Sequence, residues 1–500
     1  MKRNSTIKFP LIFVLAYALL GCSRQDFEPE ELTVETSTAA VGPFVPFGDP
    51  DNFIEAIIGS PMVTLMKSPS ILYTPEDTTA PFKLWYERPS DGNQFIDIRN
   101  NLLAALLGID IFTGSVPSSI GLATSTSVLG EDQTEPFQPR YTDQGIVLDG
   151  ANEGCDLNDP EVIPIETSNG TALLMFLTMI CDETTPQIHL CIDETGNGDS
   201  WSCVDGDPSS TSTTDPIIPV GSGDDCDAGG AYAPSVIRDG NTLRMVYSGW
   251  DGNEDYCLLY AEATIEDAVE LDSQSFTTAS GWTKGGTFLT QSNEIGAFDE
   301  GFVGHPSFVK ETTELGEPIC KIYYTGCTGG ISPVQTLEDY LHLGFYDCSI
   351  GFAGTFQSDC KSEYQRRADI IIPTLFDTLT FDAEELIADF LTLLFQSWTD
   401  EQVEACDEAV TDFIATIAAT NNQITIENCE DLLQAFSDLL ASLVGGQLNS
   451  FHFDDLAPDI ITVDGSSYLF YRLEISILFN QENTAGINIP LGIMVAKFTP

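Results

Sequence analysis

The chain has 500 residues, of which 42% are hydrophobic, enough for a packed core and too many for a disordered polymer. Nineteen Lys and Arg against 77 Asp and Glu give a formal net charge of −58, a surface that repels nucleic acid phosphates and anionic lipid headgroups. That balance excludes nucleic acid as a partner and leaves solubility in a salty medium, or attraction for divalent cations, as what the acidity serves.

At the N-terminus, Lys2, Arg3 and Lys8 accompany an apolar run from Phe9 to Leu20. That is about a dozen residues, against the ~20 a spanning helix needs, so residues 1–21 read as a signal peptide. The run ends Leu19-Leu20-Gly21-Cys22, which resembles the lipobox of bacterial lipoproteins. The resemblance implies lipidation at Cys22 and an exported protein anchored to the cell envelope by lipid, with Ser23 favouring the outer membrane. Residues 22–50, rich in Glu, Thr, Ala and Pro, read as a flexible tether. Of 13 cysteines, the twelve beyond Cys22 allow six disulfides in an oxidising compartment, with Cys191–Cys203 and Cys406–Cys429 the most local pairs.

After the tether, one unit recurs: a proline-led strand, a turn, and a second strand tipped with aromatics. In chain order it appears as Lys67-Ser68-Pro69-Ser70-Ile71-Leu72 with Phe82–Tyr86, Asp159-Pro160-Glu161-Val162-Ile163 with Leu173–Thr178, and Ala233-Pro234-Ser235-Val236-Ile237 with Met245–Gly249. His305-Pro306-Ser307-Phe308-Val309 with Ile322–Gly326 and Ala457-Pro458-Asp459-Ile460-Ile461 with Tyr468–Tyr471 complete five copies. Asp239-Gly240 marks a type I′ hairpin in the third copy. Third strands are expected at Ile120–Ala123, Ile188–Cys191, Cys257–Ala261, Leu343–Tyr346 and Leu491–Ala496, and fourth strands at Gly145–Leu148, Ile217–Val220 and Thr287–Leu289. Such repeats predict an all-β fold, a five-bladed β-propeller over residues 51–500.

The repeat prolines lie 91, 74, 72 and 152 residues apart, so the last interval holds an insertion. Residues 368–448 carry apolar residues at helical spacing with acidic first turns, and Gly445-Gly446 ends the last run. A helical insertion between blades 4 and 5 is predicted. Its Leu386, Phe390, Leu393 and Leu394 read as a face packing on its own hairpin or as a stripe for a protein partner. Because the fifth copy ends on its third strand, a strand from residues 40–66 is expected to join it and close the ring.

Pro-led first strands, second strands ending Tyr247-Ser248-Gly249 and Tyr324-Thr325-Gly326, and the Ile120-Gly121-Leu122-Ala123 third strand resemble the five-bladed propeller glycoside hydrolases and phosphorylases, families 43, 32 and 130 and the arabinanase and levansucrase-like superfamily. The resemblance covers roughly residues 60–500 without the insertion, and it is specific as architecture. It implies carbohydrate as the partner and carboxylates facing a central cavity as the chemistry. Where family 43 places an aspartate, a second aspartate and a glutamate, this chain has Ser68, Asp159 and Tyr232, so one of three acids is kept.

Asp159 matches the aspartate that tunes the acid and orients substrate; it reads equally as the cap of an Asp-Pro turn. Ser68 and Tyr232 would then face substrate, Tyr232 by stacking on a sugar or by filling the space of the missing glutamate. His305 resembles a fourth-blade histidine that holds a central ion or water. Asp227, Asp299, Glu300, Asp454 and Asp455, a few residues before repeat prolines, read as the repeat's turn acids, as substitute catalytic acids, or as oxygen ligands for Ca²⁺ together with Asp224 and Asp225. If the chain cleaves sugars, the acids to test are Asp159 with Asp299, Glu300 or Asp455. A non-enzymatic surface propeller that binds protein or displays its insertion is the alternative, favoured by the missing carboxylates at Ser68 and Tyr232.

Overall fold

The computed structural model describes residues 44–46, 63–64, 67–89, 117–130, 139–167, 170–181, 185–204, 215–223, 225–253, 255–264, 281–292, 297–312, 318–327, 348–355, 360–361, 364–367, 450–478 and 486–498, all within the unit Ala39–Pro500. Their strands form five antiparallel sheets. Blade 1 contains β3 (Lys67–Tyr73), β4 (Phe82–Pro89), β5 (Ser118–Ser125) and β6 (Thr142–Leu148). Blade 2 contains β7 (Asp156–Thr167), β8 (Gly170–Ile180), β9 (Gln187–Asp193) and β10 (Ser202–Cys203), preceded by a single-turn helix, α1 (Gly150–Glu153). Blade 3 contains β11 (Gly230–Asp239), β12 (Thr242–Trp250), β13 (Tyr256–Thr264) and β14 (Trp282–Thr290). Blade 4 contains β15 (Phe302–Thr312), β16 (Pro318–Cys327), β17 (Cys348–Thr355) and β18 (Gln365–Arg367).

Blade 5 is built from both parts of the chain. Its β19 (Ser450–Val463), β20 (Ser466–Leu478) and β21 (Gly486–Phe498) are joined by β1 (Phe44–Pro46) and β2 (Val63–Thr64), both antiparallel to β21. Phe44 stands opposite Phe498, which is the closure expected from the incomplete fifth copy. First strands also pack in a ring, β3 on β7, β7 on β11, β11 on β15, β15 on β19 and β19 back on β3.

Apolar side chains alternate out of each sheet into the seams between blades. Ile165, Leu174 and Phe176 of blade 2 meet Val236, Met245 and Tyr247 of blade 3, and Phe176 meets Trp282 edge-on at 5.8 Å. Tyr86 and Leu84 of blade 1 share a cluster with Phe470 and Val495 of blade 5. Burying each such side chain contributes about 1.5–3 kcal/mol, so the stability of each blade depends on its neighbours.

Three strand expectations change. The third strand of blade 4 is β17, after the predicted Leu343–Tyr346, which lies outside the described residues. Ile217–Val220 contributes an isolated bridge from Ile218 to Ile188, while β10 takes the fourth place in blade 2. The third-blade hairpin turns on Gly240 and Asn241, and only Gly240 has positive φ (63°), the requirement of a II′ turn in place of I′. Residues 1–43 and the predicted helical insertion, 368–448, lie outside the described residues, as does Cys406–Cys429. Cys191–Cys203 forms as expected, joined by Cys155–Cys181, Cys226–Cys257, Cys320–Cys360 and Cys327–Cys348. Each of these bridges stays within one blade. Among the described residues no helix is long and apolar enough to cross a membrane.

Candidate functional site

The repeat proline shapes the centre of the molecule. Lacking an N–H, proline cannot donate to a ladder, and in every first strand the pairing skips the proline and the residue before it. The preceding residue takes the left-handed conformation in all five blades: Ser68 (φ 47°), Asp159 (47°), Ala233 (46°), His305 (46°) and Ala457 (47°). This region is costly for a residue with a Cβ, and five occurrences at one structural position mark a constraint set by the ring. The five bulges bring these residues and their prolines around one axial chamber of about 30 Å³, which Glu161 also lines.

Two tiers of hydrogen bonds tie the blades around it. The residue after each proline links one blade to the next. Val162 N–H donates to Ser70 Oγ (2.9 Å), Val236 N–H to Glu161 Oε1 (3.0 Å), Phe308 N–H to Ser235 Oγ (2.9 Å) and Ile71 N–H to Asp459 Oδ2 (2.7 Å). Between blades 4 and 5 the link reverses, with Ser307 Oγ donating to Asp459 Oδ1 (3.2 Å). In the second tier, Thr178, Ser248 and Thr325 hydroxyls accept from the left-handed residues of the following blade, Ala233 N (2.8 Å), His305 N (2.9 Å) and Ala457 N (2.9 Å). Ser248 and Thr325 belong to the strand ends Tyr247-Ser248-Gly249 and Tyr324-Thr325-Gly326, and Thr178 to the corresponding Leu177-Thr178. At the matching register positions blade 1 has Glu87 and blade 5 has Arg472.

Three of the predicted residues come together in the chamber. Ser68 Oγ donates to Asp159 Oδ1 (2.7 Å), Thr178 Oγ1 donates to Oδ2 (3.2 Å), and His305 Nε2 lies 3.6 Å from Oδ1. The small Ala233 of blade 3 leaves the gap across which blades 2 and 4 meet. Burial lowers the pKa of His305, with Arg472 acting in the same direction and Asp159 against it. Asp159 occupies the left-handed position before Pro160, and its carboxylate accepts from the Ser68 and Thr178 hydroxyls.

The remaining predicted residues stand elsewhere. Tyr232 is fully buried, its ring edge-on to His305 at 6.0 Å, and it fills space behind the chamber wall instead of offering a face for stacking. Asp299 is buried and accepts from Tyr324 OH (2.9 Å); Asp227 likewise accepts from Tyr247 OH (2.9 Å). Both therefore anchor the tyrosine of a Tyr-(Ser/Thr)-Gly strand end, the role of a turn acid, and neither lines the chamber. Lys284 Nζ lies 2.6 Å from Asp227 Oδ2, so a protein ammonium occupies the place assigned to a metal. Glu300 sits in the turn with Asp299, its N–H donating to Ala297 O (3.1 Å). Asp455 pairs with Leu473 on β19, and its side chain, like that of Asp454, is outside the described residues. Among the described residues no three His, Cys, Asp or Glu side chains gather to hold an ion, and Asp224 lies outside the described residues.

Sequence reasoning passed over Glu161 and Asp459. They occupy one repeat position, the residue after the proline, which reads Ser70, Glu161, Ser235, Ser307, Asp459 around the ring. Two acids among three serines was the available signal. Glu161 Oε1 accepts from Ser235 Oγ (3.0 Å) as well as Val236 N–H. Asp459 accepts from Ile71 N–H, from Ser307 Oγ and from its neighbour Ile460 N–H (2.8 Å). Burial first, then the charge of Asp459, raises the Glu161 pKa well above the carboxylate range, and burial pushes Asp459 up to about 7.

No family model and no curated protein matches the chain. Among solved structures, a thermostable family-43 glycoside hydrolase is 10% identical with a TM-score of 0.42, covering 89% of this chain and 91% of that one. An α-L-arabinofuranosidase from Lactobacillus brevis is 14% identical (TM-score 0.37, covering 61% and 77%), and the family-32 β-fructofuranosidase of Bombyx mori 10% (0.38, 86% and 60%). These are likenesses of shape; the five-bladed arrangement itself rests on the strand pairing above.

Proposed function

We propose that this chain is an exported, lipid-anchored propeller of the cell envelope that engages carbohydrate at its axial chamber, keeping only part of the family 43 acid set. The observation that carries the reading is the convergence of Ser68, Asp159 and His305 on one small opening walled by prolines. Hydroxyl, carboxylate and imidazole groups suit the O–H groups of a sugar, while prolines and the two alanines offer apolar surface to its C–H faces.

Ser68 and Tyr232, in place of two acids, favour binding without turnover as the second reading, in which the propeller serves as a surface scaffold for a protein partner. A glycan array followed by calorimetry on the full chain tests the first. A bound glycan whose affinity falls at least tenfold in Asp159→Asn, with an unchanged circular dichroism spectrum, supports it. An array without hits, or a hit indifferent to that substitution, removes the chamber from the function.

A further inference from the structure

The axial ties are uneven from joint to joint. Blades 3 and 4 are joined by Phe308 N–H to Ser235 Oγ (2.9 Å) and His305 N–H to Ser248 Oγ (2.9 Å), and also by Lys310 Nζ to Asp239 Oδ2 and Lys361 Nζ to Glu262 Oε1, both 2.8 Å. The joints of blade 2 with 3 and of blade 4 with 5 each combine a first-tier bond with a hydroxyl that accepts from Ala233 or Ala457 N–H. From blade 5 to blade 1 that second bond has no equivalent, because Arg472 stands in the place of the hydroxyl and a guanidinium has donors only. The first-tier bond there is Ile71 N–H to Asp459 Oδ2 (2.7 Å), so it rests on a carboxyl group where blades 1, 3 and 4 have Ser70, Ser235 and Ser307.

We propose that the joint between blades 5 and 1 is a pH-operated gate of the ring, closed while Asp459 is neutral and opened when Asp459 ionises beside Glu161. The gate is independent of what the chamber binds.

A carboxylate enclosed by protein needs a paired cation to offset its lost hydration. Among the described residues the donors to Asp459 are all neutral: Ile71 N–H, Ile460 N–H (2.8 Å) and Ser307 Oγ (3.2 Å). Glu161, at the same repeat position in blade 2, is likewise held by Ser235 Oγ and Val236 N–H, both at 3.0 Å. The other ionisable groups around this centre are Asp159 on β7, His305 on β15, Glu87 on β4 and Arg472 on β20; Lys321 on β16 is engaged by Glu311 (2.7 Å). Arg472 acts on His305.

Burial accordingly raises the pKa of both acids, Asp459 to about 7, and at Glu161 the charge of Asp459 adds to the effect of burial. A raised pKa in the folded state means that the tie is at full strength in acid and is lost as the pH rises towards 7. Ionised Asp459 is better hydrated outside the belt, and β19 reaches water by parting from β3. Blade 4 holds the other side through Thr325 Oγ1 and Ala457 N–H, which do not titrate. Hydrogen bonds from Lys310 and Lys361 hold Asp239 and Glu262 below the usual carboxylate range, so the ion pairs between blades 3 and 4 persist over the same interval.

Hydrogen exchange by mass spectrometry on the full chain, at about pH 5.5 and about pH 8 with intrinsic exchange corrected, tests the gate. Peptides covering β3 and β19 should lose protection by at least about tenfold at the higher pH, while those covering β11 and β15 change by less than about twofold. Asp459→Asn should remove the loss. Because its amide nitrogen cannot accept from Ile71 N–H and the variant can fail to fold, Glu161→Gln is the deciding variant: it keeps the Oε1 acceptor, cannot gain the second charge, and should shrink the loss at least about threefold. Equal protection at the two pH values, a loss spread evenly over all blades, or a loss unchanged in Glu161→Gln overturns the gate.

Discussion

Blades 2 and 3 share a backbone plan around the axis and differ in what they present there. Both have a left-handed residue before the proline, at φ 47° and 46°, and both skip the same two residues in the strand ladder. Blade 2 presents Asp159 and Glu161 at the two positions flanking its proline, whereas blade 3 presents Ala233 and Ser235. The serine does only the structural job, bonding Phe308 N–H of the next blade, while Glu161 does that job with one oxygen and leaves the other for the chamber. Repetition thus fixes the scaffold, and departures from repetition at the same positions set which groups the chamber displays.

The largest test of this comparison removes the scaffold while leaving the chamber residues. Deleting residues 40–66 takes β1 and β2 from β21 and should abolish cooperative thermal unfolding by calorimetry, because blade 5 then has an open edge. If the shortened chain still melts in one sharp transition, ring closure does not depend on that seam.

Asp459→Ala comes next. It leaves Ile71 and Ile460 N–H groups without their acceptor, and each buried orphan costs roughly 1–3 kcal/mol, so a loss of about 2–6 kcal/mol in urea titrations is expected. The parent should also respond to pH. Burial pushes the folded pKa of Asp459 up to about 7, above its ordinary value of 3.8, so the folded state holds the proton more tightly than the unfolded chain. Its contribution is then fully present below about pH 4 and is lost as pH rises towards 7. Asp459→Asn should flatten that slope; an identical slope in parent and variant contradicts the assignment.

Smaller effects separate the two tiers of the ring. Thr178→Val removes the acceptor of Ala233 N–H and one donor to Asp159, at roughly 1–3 kcal/mol. Ala457→Gly relieves a left-handed Cβ at φ 47° and should raise the melting temperature slightly, by roughly 0.5–1 kcal/mol of stability after glycine's own entropy cost. A lower melting temperature would mean that the position carries no strain.

Much of the fold was legible because proline, hydrophobic alternation and turn glycines act locally. The five prolines gave the blade count, and the missing last strand pointed to residues 40–66. Leu343–Tyr346 misled because an aromatic, apolar tetrapeptide has strand composition wherever it lies, whereas pairing across from Cys327 selects Cys348. The site was legible where a residue departs from the repeat beside its proline, as at Asp159 and His305. Asp227 and Asp299 looked similar by spacing, but only the fold shows that their oxygens are taken by Tyr247 and Tyr324. Glu161 escaped notice because, as the residue following a proline on an inner strand, it reads as one more position in a sheet; its reach to blade 3 is a tertiary fact.

The described disulfides staple strands within single blades, so among the described residues the belt around the axis is held by hydrogen bonds, ion pairs and apolar seams. Phe44 and Phe498 face each other on neighbouring antiparallel strands, so tension applied between them peels the junction one residue pair at a time instead of shearing all pairs together. A pull on that junction therefore meets little mechanical resistance, while the covalently laced sheets of blades 2, 3 and 4 outlast it.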